Sequence, residues 1–166
     1  MPDLGRILGD ELSIKGWVEV YSRPKSNLPG HLGNWKLEYE TPNLVVSVGK
    51  NLVASMLAEQ SGFDTGITYC DVGTDDTTPV VGDVDLVAGH KRNAITSYLV
   101  GGRVAQFRTF YAAADITVYL KEVGLFGHTT ATSTLGTGVL FNRAIIDFDN
   151  TSGTKDLTLV IQVTFG

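Results

Sequence analysis

The sequence predicts a mainly β protein, a two-sheet antiparallel β-sandwich with one surface helix near residues 48–60. Three observations predict it. Alternating apolar and polar runs recur along the chain, above all from Ile67 onward. Helical periodicity is confined to a single segment. The runs are punctuated by Gly-, Pro- and Asp-containing turn sequences, with 19 glycines in all. Short strands of this kind bury one face each, and stacking two sheets covers those faces.

The first strand is LSIKGWVEVY, residues 12–21, in which Val18 and Val20 alternate with Trp17, Glu19 and Tyr21. The step at Lys15-Gly16 suggests a bulge. A Pro- and Gly-containing loop, SRPKSNLPGHLGN, leads to WKLEYE. There Trp35, Leu37 and Tyr39 alternate with Lys36, Glu38 and Glu40, the pattern of a half-exposed strand. The helix follows. Ser47 is placed to cap it, Leu52, Val53, Met56 and Leu57 share one face, and Gly62 stands where it would stop.

ITYCDV then reads as a strand and GTDDTTPVVGDVDL as an acidic loop. KRNAITSYLV and RVAQFRTFY flank Gly101-Gly102, as a hairpin would. DITVYLKEV is the next strand, before a Gly/Thr/Ser-rich loop over 127–138. VLFNRAIIDF and KDLTLVIQVTF form a second hairpin around DNTSGT. In the last strand Leu157, Leu159, Ile161, Val163 and Phe165 face one way, and only Val160 breaks the alternation.

A chain of 166 residues suits one domain with a small extension. A weak break at Thr41-Pro42 divides it into an N-terminal arm or appended strands, 1–45, and a sandwich domain, 46–166. Apolar residues make up 43% and charged residues 19%, within the globular range. A net charge of −5 argues against nucleic acid, which needs a basic face. No run approaches the ~18 apolar residues of a membrane span, and MPDLGRILGDELSIKG has no basic start before an apolar stretch, so a secretory signal is not expected.

Little suggests catalysis. His31, His90 and His128 sit in glycine-rich contexts without metal-ligand spacing. No nucleophile elbow, phosphate loop or dinucleotide fingerprint occurs. Cys70 is alone, in an apolar run, and reads as a small core residue. Asp75, Asp76, Asp83 and Asp85, with Asp71 nearby, are weak calcium candidates, but an acidic turn bonding its own backbone explains them as well. No metal, cofactor or enzymatic activity is expected.

One carboxylate stands out. Glu122 lies between apolar positions in VYLKEVGLFG. A buried charge needs a cation or several donors. Arg143, inside VLFNRAII, is the first candidate and Arg92, entering KRNAITSYLV, the second. A bidentate ion pair fixing strand register is the expected role. Trp17, Tyr21, Trp35, Tyr39 and Tyr111 are candidate interface residues.

NLVVSVGKNLVASML, ITYCDVGTDDTTPVVGDVDL, the basic His90-Lys91-Arg92, KEVGLFG and GVLFNRA occur in that order. Together, over roughly residues 43–146, they resemble tailed-bacteriophage virion proteins, in particular the N-terminal attachment domain of phage tail-collar fibre proteins. The chain departs from that scheme where Asp75 replaces the second glycine of the loop and where an acidic residue is displaced to Asp85. A fibre protein would be expected to continue into a long repetitive shaft, so the resemblance points to a particle component rather than to a fibre itself. The resemblance implies a virion-located structural component, homo-oligomeric and in contact with other virion proteins, without nucleic acid or membrane. A tail, baseplate or fibre-attachment adaptor is the leading expectation. A capsid decoration (cement) protein is the alternative, and a carbohydrate-binding β-sandwich, which would bind glycan, is a second.

Overall fold

The computed structural model describes residues 13–25, 34–62 and 65–166. Among the described residues, nine strands, one α-helix and one 3-10 turn follow in the order β1 Ile14–Pro24, β2 Lys36–Val45, α1 Ser47–Leu57, β3 Ile67–Gly73, β4 Gly89–Ala94, β5 Ser97–Gly101, β6 Val104–Tyr111, the turn Ala113–Asp115, β7 Tyr119–Gly127, β8 Val139–Asp149 and β9 Lys155–Phe165. The mainly β class and the single helix are as expected. The strands, however, form one continuous antiparallel sheet in the order β4-β3-β7-β8-β2-β1-β9-β6-β5, curled into a half-barrel. No break in hydrogen bonding divides it into two sheets.

β2 makes the curl possible. Residues from Lys36 to Asn43 pair with β1, and Leu44 and Val45 pair with β8. One strand thereby hands the sheet from one half to the other. The halves face each other over a shared core that includes Val18 and Val20 of β1, Val72 of β3, Leu120 and Val123 of β7, Ile146 of β8 and Leu159 and Ile161 of β9. Tyr111 on β6 reaches across it, its hydroxyl donating to the Cys70 carbonyl of β3 at 2.7 Å.

The stretch KRNAITSYLV is two strands. Ile95 N–H donates to the Thr68 carbonyl at 2.9 Å, and Thr96 N–H donates to the Arg108 carbonyl at 2.7 Å. The chain therefore crosses between Ala94 and Ser97 from the outer side of β3 to the outer side of β6. A strand-like run reads the same in sequence whether or not it changes neighbours.

The boundary near residue 45 is not a structural one. β1 pairs along its whole length with β9, from Ile14–Phe165 to Pro24–Lys155, and Val18 and Val20 are fully buried. β1 and β2 are the middle of the sheet, and only residues 1–12 and 26–33 of the proposed arm lie outside the described residues. Gly16 is in register opposite Asn43, so the bulge expected there is absent; the shift falls at Val20/Tyr21 instead. Gly16 is small because a Cβ would collide with the Asn43 side chain.

α1 packs through Leu52, which is buried, with Val53 and Met56 partly so. Gly49 lets its backbone approach β8, where a Cβ would strike the Phe141 carbonyl. Two details differ from expectation. Leu57 lies off the packed face, 79% exposed. Val46, not Ser47, is the N-cap, and no side chain caps it; Val46 is held instead by its N–H to the Phe141 carbonyl at 3.2 Å. At the other end Gln60 N–H donates to Ser55 O at 3.0 Å and Glu59 N–H to Met56 O at 3.2 Å. This pairing closes the helix at Leu57, before Gly62 is reached, and holds Glu59 at φ 50°, a left-handed conformation.

Two outcomes follow. Glu59→Gly relieves the left-handed strain and is expected to raise stability by up to about 1 kcal/mol in chemical denaturation. Removing residues 1–25 takes β1 from the middle of the sheet, so the truncated chain is expected to be insoluble or unfolded by circular dichroism; a soluble, cooperatively melting product would restore the arm.

Candidate functional site

The Glu122 carboxylate is buried and paired. Glu122 on β7 and Arg143 on β8 are both fully inaccessible, and Arg143 Nε donates to Glu122 Oε2 at 2.9 Å. The two strands place them diagonally, Glu122 opposite Ile145 and Arg143 opposite Gly124. Neither charge depends on the other alone. Glu122 also accepts the backbone N–H of Val87 at 3.0 Å and of Ala88 at 2.7 Å. Arg143 also donates to Asp83 Oδ2 at 3.0 Å and to the Thr77 carbonyl at 2.9 Å. Every one of these extra contacts belongs to the connection between β3 and β4. On β3, Gly73 lies opposite Glu122, where a Cβ would run into the carboxylate.

Arg92, the second candidate for Glu122, has a different partner. It forks onto Asp71, Nε to Oδ1 at 2.5 Å and a terminal nitrogen to Oδ2 at 2.7 Å. Its remaining nitrogen donates to the carbonyls of Thr132, Thr134 and Thr137, at 3.0, 2.7 and 2.9 Å. The guanidinium lies 4.5 Å from the Phe126 ring centroid. Burial pushes the Asp71 carboxyl up to about 6, against the pull of Arg92. Asp71 gave no sequence signal as a partner, because it was read as one more member of the acidic group. The two pairs share one design: a buried arginine is held by a strand carboxylate and spends its other donors on a loop.

The first of those loops, 74–88, carries an exposed apolar surface. Val80, Val81, Val84 and Val87 are 55–66% exposed. Beneath them Leu86 is buried with Val46, Phe126 and Leu140, and Ser47 N–H donates to the Val81 carbonyl at 2.8 Å. The acidic residues serve the same loop. Asp75 accepts the Thr77 N–H at 2.7 Å; hydrogen bonding from the Thr77 side chain, and second from this amide, keeps its carboxyl below the usual range, and Asp83 accepts both Arg143 and the Val80 N–H. Asp85 accepts the Leu86 N–H at 2.8 Å. Among the described residues no three of His, Cys, Asp and Glu come together as a metal site, so Asp75, Asp76, Asp83 and Asp85 do not form the calcium cluster considered for them.

The aromatic residues separate into two groups. Trp17 and Trp35 are 40% and 38% exposed, and Tyr21 and Tyr39 are partly buried. Tyr111 is wholly buried, so it is a core residue rather than an interface one, and burial raises its phenol well above the ordinary value. Tyr21, Trp35, Arg108 and Phe110 line a cleft of about 380 Å³ on the outer face of β1, β9 and β6. Arg23 covers Trp35 at 4.7 Å.

No nucleophile is poised among the described residues. Cys70 is buried, which pushes its thiol up to about 12. His90 is exposed, and His128 Nδ1 contacts the Thr130 hydroxyl at 2.7 Å; His31 lies outside the described residues. No described helix is long and apolar enough to cross a membrane.

No family model, curated protein or solved structure matches the chain.

The ion pair makes a quantitative prediction. Glu122→Gln is expected to cost about 1–3 kcal/mol, the range for losing hydrogen bonds to a charged group. Arg143→Met strands a buried carboxylate and is expected to cost about 3–5 kcal/mol. In urea denaturation the double variant should cost clearly less than the sum, the mark of direct coupling; additive losses would mean that the pair is not formed in solution.

Proposed function

We propose that this protein is a non-enzymatic structural component of a bacteriophage particle, an adaptor on the tail, baseplate or fibre attachment that works by protein–protein contact. One observation carries the reading. The loop 74–88 presents four exposed valines, yet it is clamped from below by Glu122, Arg143 and Leu86. Apolar surface on an exposed loop is costly to display and useful to bury against another protein. A loop held in one shape loses little further entropy when it docks.

The segments that resemble tail-collar attachment domains support the same reading. GTDDTTPVVGDVDL, KEVGLFG and GVLFNRA are far apart in sequence, and they meet at this clamp through Val87, Ala88, Glu122 and Arg143. In this reading the shared motifs preserve a rigid contact loop, and the virion is where the protein resides. The curled sheet then serves as a sandwich-like frame whose two halves back onto a common core.

A glycan-binding role has one observation in its favour, the cleft that sets Trp35 and Tyr21 beside Arg108. Aromatic faces with a flanking donor suit a sugar ring.

The two readings separate experimentally. Val81→Asp combined with Val84→Asp is expected to leave the melting temperature within about 2 °C, because both side chains are exposed. The same variant is expected to fail to co-sediment with phage particles assembled in its presence. Normal incorporation would remove the loop from the contact, and absence of the parent protein from purified particles would overturn the virion reading. Binding across a glycan array that is lost with Trp35→Ala would favour the second reading.

A further inference from the structure

The sheet ends in two edge strands, β4 and β5, and their situations differ. β4 is backed by β6, with Asn93 Nδ2 donating to the Phe110 carbonyl at 2.8 Å, and it is anchored by the buried Arg92. β5 pairs only with β6, and the backbone groups of its outer side have no backbone partner among the described residues. All five of its residues are exposed, with Tyr98 at 56%, Leu99 at 64% and Val100 at 76%. Apart from its shortness, five residues, β5 carries none of the usual sequence guards of a sheet edge: it has no lysine, no proline and no bulge, and no charged residue at all. A nearly wholly apolar groove of about 330 Å³ adjoins its inner face, lined by Val53, Met56, Phe107 and Phe165, with the exposed Leu57 also at its wall.

We propose that β5 pairs antiparallel with β5 of a second copy of this chain, about a twofold axis through Leu99. The occupant of such an edge is a strand, because only a strand presents donors and acceptors at the matching repeat. The sequence of β5 makes a second copy the fitting one. Centred on Leu99, antiparallel self-pairing sets Tyr98 opposite Val100 of the second copy, and Val100 opposite its Tyr98. Both are aromatic–β-branched pairs, which stabilise a sheet when directly opposed. Ser97 then meets Gly101, and Leu99 meets itself. No like charges are opposed, which matters for a chain of net charge −5.

The register within the protomer places these pairs usefully. Tyr98 lies opposite Phe107 and Val100 opposite Ala105, on the face that borders the apolar groove. The second copy therefore extends the cover over that groove from both sides of the axis, as an isologous contact must. Five paired residues and a groove rim make a contact below the roughly 1,600 Å² of a standard stable interface, so the dimer is reversible and micromolar. The contact goes beyond the particle reading and uses a different part of the molecule from the valine loop.

Sedimentation equilibrium of the full chain tests it. The parent protein is expected to show a concentration-dependent monomer–dimer equilibrium in the micromolar range. Leu99→Lys and, separately, Val100→Lys are expected to weaken dimerisation by about tenfold or more while leaving the circular dichroism melt unchanged. Register is read by cross-linking with oxidised glutathione. Leu99→Cys places two thiols across the axis and is expected to give a covalent dimer, whereas Ser97→Cys is expected to stay monomeric under reducing-free electrophoresis; the buried Cys70 does not interfere. A parent protein that is monomeric throughout, or a dimer that both lysine variants leave intact, would overturn the proposal. Equal cross-linking from Ser97→Cys would overturn the twofold at Leu99. Because these measurements use isolated protein, their failure leaves the particle reading standing, and a failed particle assay leaves the dimer standing.

Discussion

The ion pair between Glu122 and Arg143 is the constraint on which the β3–β4 side of the molecule depends. Two charges without access to water are expensive, and their mutual attraction alone does not recover the cost. Here the deficit is met by the loop, whose Val87 and Ala88 amides and Thr77 carbonyl complete the valences of both groups. The dependence runs in both directions. The loop has its shape because the pair needs those polar groups, and the pair can be buried in the core because the loop supplies them. Gly73 belongs to the same arrangement, since its missing side chain is the space that the carboxylate occupies.

Arg92 and Asp71 repeat this logic on the adjacent strand pair, β3 and β4, and the repetition explains how the half-barrel tolerates its long connections. The loops 74–88 and 128–138 are rich in Gly, Thr, Ser and Asp, residues that pack poorly. They are ordered by carbonyls that accept from two guanidinium groups and by amides that donate to the Glu122 carboxylate, rather than by burying side chains of their own. Arginine suits this task because its planar fork can serve a carboxylate on one edge and a loop on the other. Leu86 is the exception, an apolar anchor that pins the first loop to Val46, Phe126 and Leu140.

Much of this was legible in the residues. Alternation located most of the strands, and Leu157, Leu159, Ile161 and Val163 are all buried as their spacing indicates. A lone carboxylate between Leu120 and Val123 points to a structural charge and leaves two arginines as partners, of which Arg143 is the one in contact and Arg92 belongs to Asp71. Other features left no local mark. A strand that changes neighbours, as β2 does at Leu44, looks like any other strand. The separation of β4 from β5 rests on which carbonyls lie near Ile95 and Thr96, and those belong to Thr68 and Arg108. Tyrosine is at home both at a surface and in a core, so its type does not place Tyr111; its hydroxyl finds the Cys70 carbonyl across the core, and the ring is buried there rather than at an interface. The four valines were hidden inside what reads as an acidic turn, where the aspartates drew attention and the apolar residues between them did not.

The pairing of β1 with β9 also has a meaning in time. The second strand of the described chain to settle beside β1, apart from its neighbour β2, is the last one in sequence. During synthesis Val18 and Val20 must wait until Leu159 and Ile161 have been made before their side of the core can close. β6 waits for the same strand, since it pairs with β9 from Val104 to Tyr111. Half of the sheet is thus assembled in one late step around β9, whereas β3, β4, β7 and β8 have their partners within the preceding stretch of chain. Such long-range closure makes for slow folding and for a nascent chain in which β1 stays uncovered on one side until β9 has been made.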